Sequence, residues 1–221
     1  MEIQERLKAF LGEIPENVQL VAVSKTKPDE LILEAYQCGQ RVFGENKVQD
    51  LAAKHPRLPD DIKWHFIGHL QRNKVKYIAS FVSMLHGIDS LKLLTEVNKQ
   101  AKKNSRTIPC LLQFHIAEEE TKFGLNMKET EELLTDERFI QLQNIQIAGV
   151  MGMATYTNNK EQVRKEFRKL HQHFLFLKEK YFTDNLVFKE ISMGMSVDYQ
   201  IAIEEGSTMI RVGTKIFGER N

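Results

Sequence analysis

Eight short runs, each almost continuously apolar at its centre, recur along the chain between longer amphipathic stretches. They are VQLVAVSK (18–25), RVFGEN (41–46), IKWHFIG (62–68), SMLHGI (83–88), PCLLQFHI (109–116), IQIAGVMGM (145–153), FKEISMGMS (188–196) and TMIRVGT (208–214). Continuous apolarity, rather than strict alternation, suits strands buried on both faces, as in parallel sheets covered by helices. The intervals read as those helices. Residues 28–39 open on Pro28 and close on Gly39, with Leu31, Ala35 and Cys38 on one face. Residues 90–103 begin at Ser90, an N-cap residue type, and end in a basic turn. Residues 128–136 and 159–181 are amphipathic, and 74–81 and 197–205 are shorter helical expectations. The charged, amphipathic MEIQERLKAFLGEI adds a helix ahead of the first strand and does not resemble a secretory signal.

Strands alternating with helices require parallel pairing through crossovers. A doubly wound open sheet would use about five to seven strands. Eight units in 221 residues instead fit a single α/β domain over 1–221, a (β/α)8 TIM barrel with an extra N-terminal helix. No Pro/Gly/Ser-rich linker divides the chain. Its 31 basic and 30 acidic residues leave a net charge of +1, which gives no field for nucleic acid or an anionic membrane. Cys38 and Cys110 form no CxxC pair, and a disulfide framework is not expected. No apolar run approaches the roughly 18 residues of a membrane span. The expected setting is cytoplasmic.

In such barrels the working residues sit at the carboxyl ends of the strands. VAVSKTK places Lys25 there, with Lys27 two residues on. Strand alternation turns Lys25 and Lys27 to one side and Ser24 and Thr26 to the other. An amine beside a second cation and apolar walls has its pKa lowered, and the neutral amine can form a Schiff base with a carbonyl. A solvated strand-end lysine is the ordinary alternative. SMGMS (192–196) and IRVGT (210–214) end the seventh and eighth runs, where (β/α)8 enzymes commonly hold a phosphate. Ser196 and Thr214 offer hydroxyls there, and Gly213 a backbone N–H. An aldehyde and a phosphate on one ligand satisfy both features. Pyridoxal 5′-phosphate (PLP) carries both, and so do the phosphorylated sugars of lysine-dependent aldolases. Arg211, in IRVGT, is always charged and only donates, so against a pyridine nitrogen it would leave that nitrogen unprotonated. Pairing to a carboxylate is its alternative role. His65 and His69 are spaced i, i+4, but on a strand and its turn, and no HExxH motif accompanies them. No metal site is expected, and EEETK (118–122) reads as a solvated loop.

Five segments, VAVSKTKP (21–28), FGENKVQD (43–50), WHFIGHLQRNK (64–74), AGVMGMA (148–154) and SMGMSVDYQIAIEEGSTMIRVGTKIFG (192–218), closely resemble the pyridoxal phosphate homeostasis proteins. That resemblance implies a barrel similar to the amino-terminal barrel of alanine racemase. It implies that Lys25 carries PLP as an aldimine and that Ser196, Gly213 and Thr214 bind its phosphate. It implies that Arg211 faces the pyridine nitrogen, that Asn46 and Met195 line the pocket, and that Ile67 and His65 pack near the ring. Lys122 and Gly124 match a Lys-x-Gly of the family. The implied role is intracellular PLP homeostasis, by buffering or delivery to PLP-dependent apoenzymes, in a monomer with no catalytic residue. Alanine racemase adds a second domain that supplies the opposite proton-transfer group, and here the barrel accounts for all 221 residues. A racemase-type enzyme acting on a small amino acid is the alternative, with Tyr199 or His86 as its second acid/base.

Overall fold

The computed structural model describes residues 2–118 and 123–219. Along the chain, α1 (Ile3–Glu13) precedes β1 (Gln19–Val23), α2 (Asp29–Gln37), β2 (Val42–Glu45), α3 (Val48–Lys54) and β3 (Lys63–Phe66). There follow β4 (Met84–Ile88), α4 (Leu91–Lys103), β5 (Ile108–Phe114), α5 (Met127–Thr135), α6 (Glu137–Ile140) and β6 (Ile145–Gly152). The chain then forms α7 (Lys160–Tyr181), β7 (Glu190–Ser192), α8 (Tyr199–Glu204), β8 (Met209–Val212) and α9 (Thr214–Phe217). Every strand pairs in parallel with the next, and β1 pairs with β8 from Gln19↔Met209 to Ala22↔Val212, closing the barrel. All eight apolar runs contain a strand, each one to six residues shorter than its run because the polar ends turn out of the ladder.

Strand parity divides the core in two. Leu20, Ala22, Phe43, Trp64 and Phe66 face outward into the large cluster between barrel and helices. Val21, Val42 and Met209 form one cluster inside the barrel, and Leu111, Ala148 and Met151 another. The helices bury single stripes against the outer face, such as Leu93, Leu94, Val97 and Ala101 on α4. Ser90 caps α4 as its residue type suggests, accepting from the Leu93 N–H at 3.3 Å. Ile3, Leu7 and Phe10 bury one face of α1, and Phe10 meets the Tyr199 ring edge-on at 5.1 Å.

Two local expectations are corrected. Residues 74–81 do not form an α-helix; the β3–β4 crossover is a 3-10 helix over Arg72–Tyr77. Residues 48–54, for which no helix is expected, form α3, and it brings Lys54 inward with 7% of its surface exposed.

Candidate functional site at the carboxyl ends of the strands

A pocket of about 400 Å³ opens at this end of the barrel. Lys25, Asn46, Ile67, Met195, Ser196, Arg211, Gly213 and Thr214 all line it, so strand ends far apart in sequence converge on one cavity. Gln113, Phe123, Met153 and Tyr156 complete its walls. The fifth apolar run, PCLLQFHI, ends beside His115. The pocket instead takes Gln113, two residues earlier on the same face, whose amide donates to the Phe123 carbonyl at 3.0 Å. Phe123 and Tyr156 lie on loops, where periodicity carries no signal. The rim is exposed, at 84% for Tyr156, 73% for Val197 and 54% for Phe123. His69 also lines the pocket, stacked on Phe123 at 4.1 Å and 3.3 Å from the Asp89 carboxylate. Lys122 lies outside the described residues, as does most of EEETK.

The lysine pair is arranged differently from a continuing strand. β1 ends at Val23, and Ser24–Lys27 form a turn closed by the Lys27 N–H donating to the Ser24 carbonyl at 3.0 Å. Thr26 in that turn has φ +65°, a region that β-branched residues avoid. Both lysines line the pocket, but their amines have separate surroundings. The Lys27 ammonium donates to the carbonyls of Phe217, Gly218 and Glu219 at 2.9–3.3 Å, which satisfies the carboxyl end of α9. It is therefore committed to the backbone after α9.

Opposite, the loops after β7 and β8 meet. The Gly213 N–H donates to Ser196 Oγ at 3.3 Å, and the Met195 N–H donates to the Asp198 carboxylate at 2.5 Å. Arg211 is 4% exposed, and its guanidinium donates to Ser192 Oγ at 2.6 Å and to the Gly152 carbonyl at 3.1 Å. The Asp198 carboxylate, which caps the Met195 N–H, is close enough to act on this guanidinium by its charge. Burial lowers the pKa of Arg211 to about 10, so it stays charged at neutral pH.

The Ser192 hydroxyl leads inward to a chain of two buried imidazoles. His86 Nδ1 lies 2.9 Å from Ser192 Oγ, and His86 Nε2 lies 3.0 Å from His65 Nδ1. His65 thus touches the pocket only through His86, Ser192 and Arg211. His86 is wholly buried, and Tyr199 is 4% exposed with its hydroxyl donating to Glu13 at 2.9 Å; neither lines the pocket mouth. Burial pushes the pKa of His65 down to about 3 and that of His86 well below its ordinary value, so both are neutral at neutral pH. Protons bind these rings more readily in the unfolded chain, where a histidine titrates at about 6.5. Their contribution to stability is complete above that pH and is lost as pH falls below it, for His65 down to about 3. Between pH 6.5 and 5 the unfolding free energy should fall by up to about 1.4 kcal/mol per pH unit for each ring. Urea unfolding at pH 7, 6 and 5 measures this, and a flat profile would contradict the neutral buried pair.

Closed parallel barrel and basic strand-end pocket together define a barrel of the alanine racemase amino-terminal class. The family model described as "Alanine racemase, N-terminal domain" matches residues 2–221. A pyridoxal phosphate homeostasis protein of Aquifex aeolicus is 42% identical over 203 residues, covering 91% of this chain and 87% of that protein. The chain belongs to the family of pyridoxal phosphate homeostasis proteins. PipY of Synechococcus elongatus superposes with TM-score 0.91 without PLP and 0.89 with PLP bound, at 36% and 35% identity, over 98% of this chain and all of PipY. An alanine racemase of Clostridium difficile shares the fold at TM-score 0.76 and 14% identity, and this chain covers 60% of it.

Proposed function

We propose that this protein binds PLP reversibly through Lys25 and serves intracellular PLP homeostasis, buffering the cofactor or delivering it to PLP-dependent apoenzymes. The observation that carries the reading is the convergence of Lys25, Arg211 and the Ser196–Gly213–Thr214 loops on one pocket. PipY, the relative with PLP bound, supports it. The donor set fits the cofactor: an amine for the aldehyde, hydroxyl and backbone donors for the phosphate, and a guanidinium for the ring edge. PLP would supply a carbonyl that captures an amine and a ring that accepts electron density.

This chain's residues weaken that second capacity. The Arg211 guanidinium only donates and has no lone pair to accept from a pyridinium N–H, and Ser192 and Gly152 hold it in place, so the pyridine nitrogen facing it would stay unprotonated. The exposed rim of Phe123, Tyr156 and Val197 suits exchange of a cofactor better than exclusion of water. We read 1–221 as one domain, active as a monomer in the cytoplasm. Among the described residues no helix is long and apolar enough to cross a membrane.

Adding PLP to the purified protein should produce an absorbance band at about 420 nm, the mark of a lysine Schiff base. Borohydride should fix the label on the peptide holding Lys25. L-alanine in deuterated water should exchange its α-hydrogen slowly. Absence of the band would refute the binding reading, and exchange at many turnovers per second would favour the racemase-type enzyme.

A further inference from the structure

Behind the Lys25 turn, on the side away from the pocket, lies a buried ion pair that the binding chemistry does not use. Outward-facing Glu45 ends β2, fully buried, and Lys54 reaches it from α3. The Lys54 ammonium donates to Glu45 Oε1 at 2.7 Å and to the Ser24 carbonyl at 2.9 Å. Ser24 Oγ also donates to Glu45 Oε1, at 2.7 Å, and the Ser24 N–H donates to the Gly44 carbonyl at 3.1 Å. Every polar group of the residue before Lys25 is therefore held. Glu45 Oε2 is buried with no hydrogen-bond donor in the structure, so Lys54 is the cation that balances this carboxylate.

Buried ion pairs add little net stability, because desolvation offsets their attraction, and apolar pairs of similar volume often replace them without loss. Packing alone therefore gives no reason for a charged pair here. The turn does give one. Thr26 sits at φ +65°, and a strained residue keeps such a conformation only where its surroundings over-determine it. The Ser24 carbonyl, which closes the turn by accepting from the Lys27 N–H, is the atom that Lys54 grips.

We infer that Glu45 and Lys54 are positioning residues, holding the Ser24–Lys27 turn so that the Lys25 amine is presented to the pocket. The inference rests on the reading of Lys25 as the PLP-holding lysine, and it extends that reading to residues outside the pocket wall.

Lys54→Met alone would strand the Glu45 carboxylate, so the informative variant is the double Glu45→Leu/Lys54→Met. It removes both charges together, and Ser24 Oγ can turn to the Gly44 carbonyl, 3.5 Å away. Its melting temperature should stay within a few degrees of the parent's. In the PLP-free protein, amide exchange at Lys27 should accelerate about tenfold, the effect of losing one hydrogen bond from a charged donor. In the loaded protein, PLP release to a scavenging apoenzyme should accelerate by a similar factor, with the pH titration of the 420 nm band displaced. If the pair misfolds, Glu45→Gln/Lys54→Met keeps an acceptor for Ser24 and carries the same expectations. Unchanged exchange, or faster exchange with unchanged release, would overturn the inference. Failure of the parent protein to bind PLP would instead refute the binding reading, and the exchange measurement would still decide whether the pair holds the turn.

Discussion

Lys25→Ala is expected to abolish the absorbance band at about 420 nm and to weaken PLP binding at least roughly a hundredfold, about 2.7 kcal/mol. The same substitution should change the stability of the PLP-free protein by no more than about 1 kcal/mol. Two lysines line the pocket, and the sequence points to the first of them. Their surroundings agree. The Lys27 amine is held by the carbonyls of Phe217, Gly218 and Glu219, to which it donates three hydrogen bonds. A Schiff base requires the neutral amine, with its lone pair directed at the carbonyl carbon. To serve, Lys27 would have to abandon three hydrogen bonds and uncap α9. Lys25 lies in the turn that follows β1 and is half-buried at the pocket wall. The phosphate donors near Ser196, Gly213 and Thr214 are untouched in Lys25→Ala, so residual non-covalent binding should persist and compete with inorganic phosphate. PLP fixed by borohydride on the peptide holding Lys27 in Lys25→Ala would sink the assignment and move it to Lys27. Lys27→Ala, by contrast, should keep the band while loosening the segment after α9.

The barrel was legible because its strands are buried on both faces. Continuous apolar runs such as IQIAGVMG and PCLLQF leave few alternatives once eight of them alternate with helices. Legibility failed where side chains act against their type. α3 carries Lys54 into the barrel–helix layer, so its buried face is only partly apolar and its pattern is weak. The SKTK turn reads as strand in the sequence because nothing about Thr26 announces φ +65°, and Glu45 and Lys54, which grip the neighbouring Ser24, lie 19 and 28 residues beyond Thr26. The strand-end rule led to Lys25, Ser196, Arg211, Gly213 and Thr214, and the family resemblance added Asn46, Ile67 and Met195; all eight line the pocket. Loop residue Tyr156 escaped both, and Phe123 entered only as the unspecified middle position of the Lys-x-Gly motif. The imidazole chain behind Arg211 was likewise hidden. His65 and His86 alternate with apolar neighbours as interior residues do, and only the closure of β3 and β4 against β7 and β8 brings them to Ser192.

Gly149→Ala should be the most damaging single methyl added to the barrel, costing about 4 kcal/mol or more. Pairing of β5 with β6 passes from Cys110↔Ile147 to Leu111↔Gly149, so Ala148 is an extra residue bulged from β6. Gly149 follows the bulge at φ +154° and presses on β7 so closely that a Cβ would lie 1.8 Å from the Glu190 carbonyl oxygen and 2.8 Å from its nitrogen. Both are backbone atoms, so neither can swing aside, and β6 and β7 must separate. That seam has little reserve. β7 is three residues long and meets β8 at the single register pair Ser192↔Met209. Ser192 is also the hydroxyl that holds Arg211 and faces His86, so opening the seam loosens the ring-edge side of the pocket as well as the barrel. Gly39→Ala is the comparison that isolates the clash. Gly39 has φ +94°, but a Cβ there meets nothing within 4 Å, and the cost should be about 1 kcal/mol, that of the backbone conformation alone. Denaturant unfolding of the two variants measures the difference. Equal losses would mean that β7 yields without cost, and the barrel would then not depend on the contact between Gly149 and Glu190.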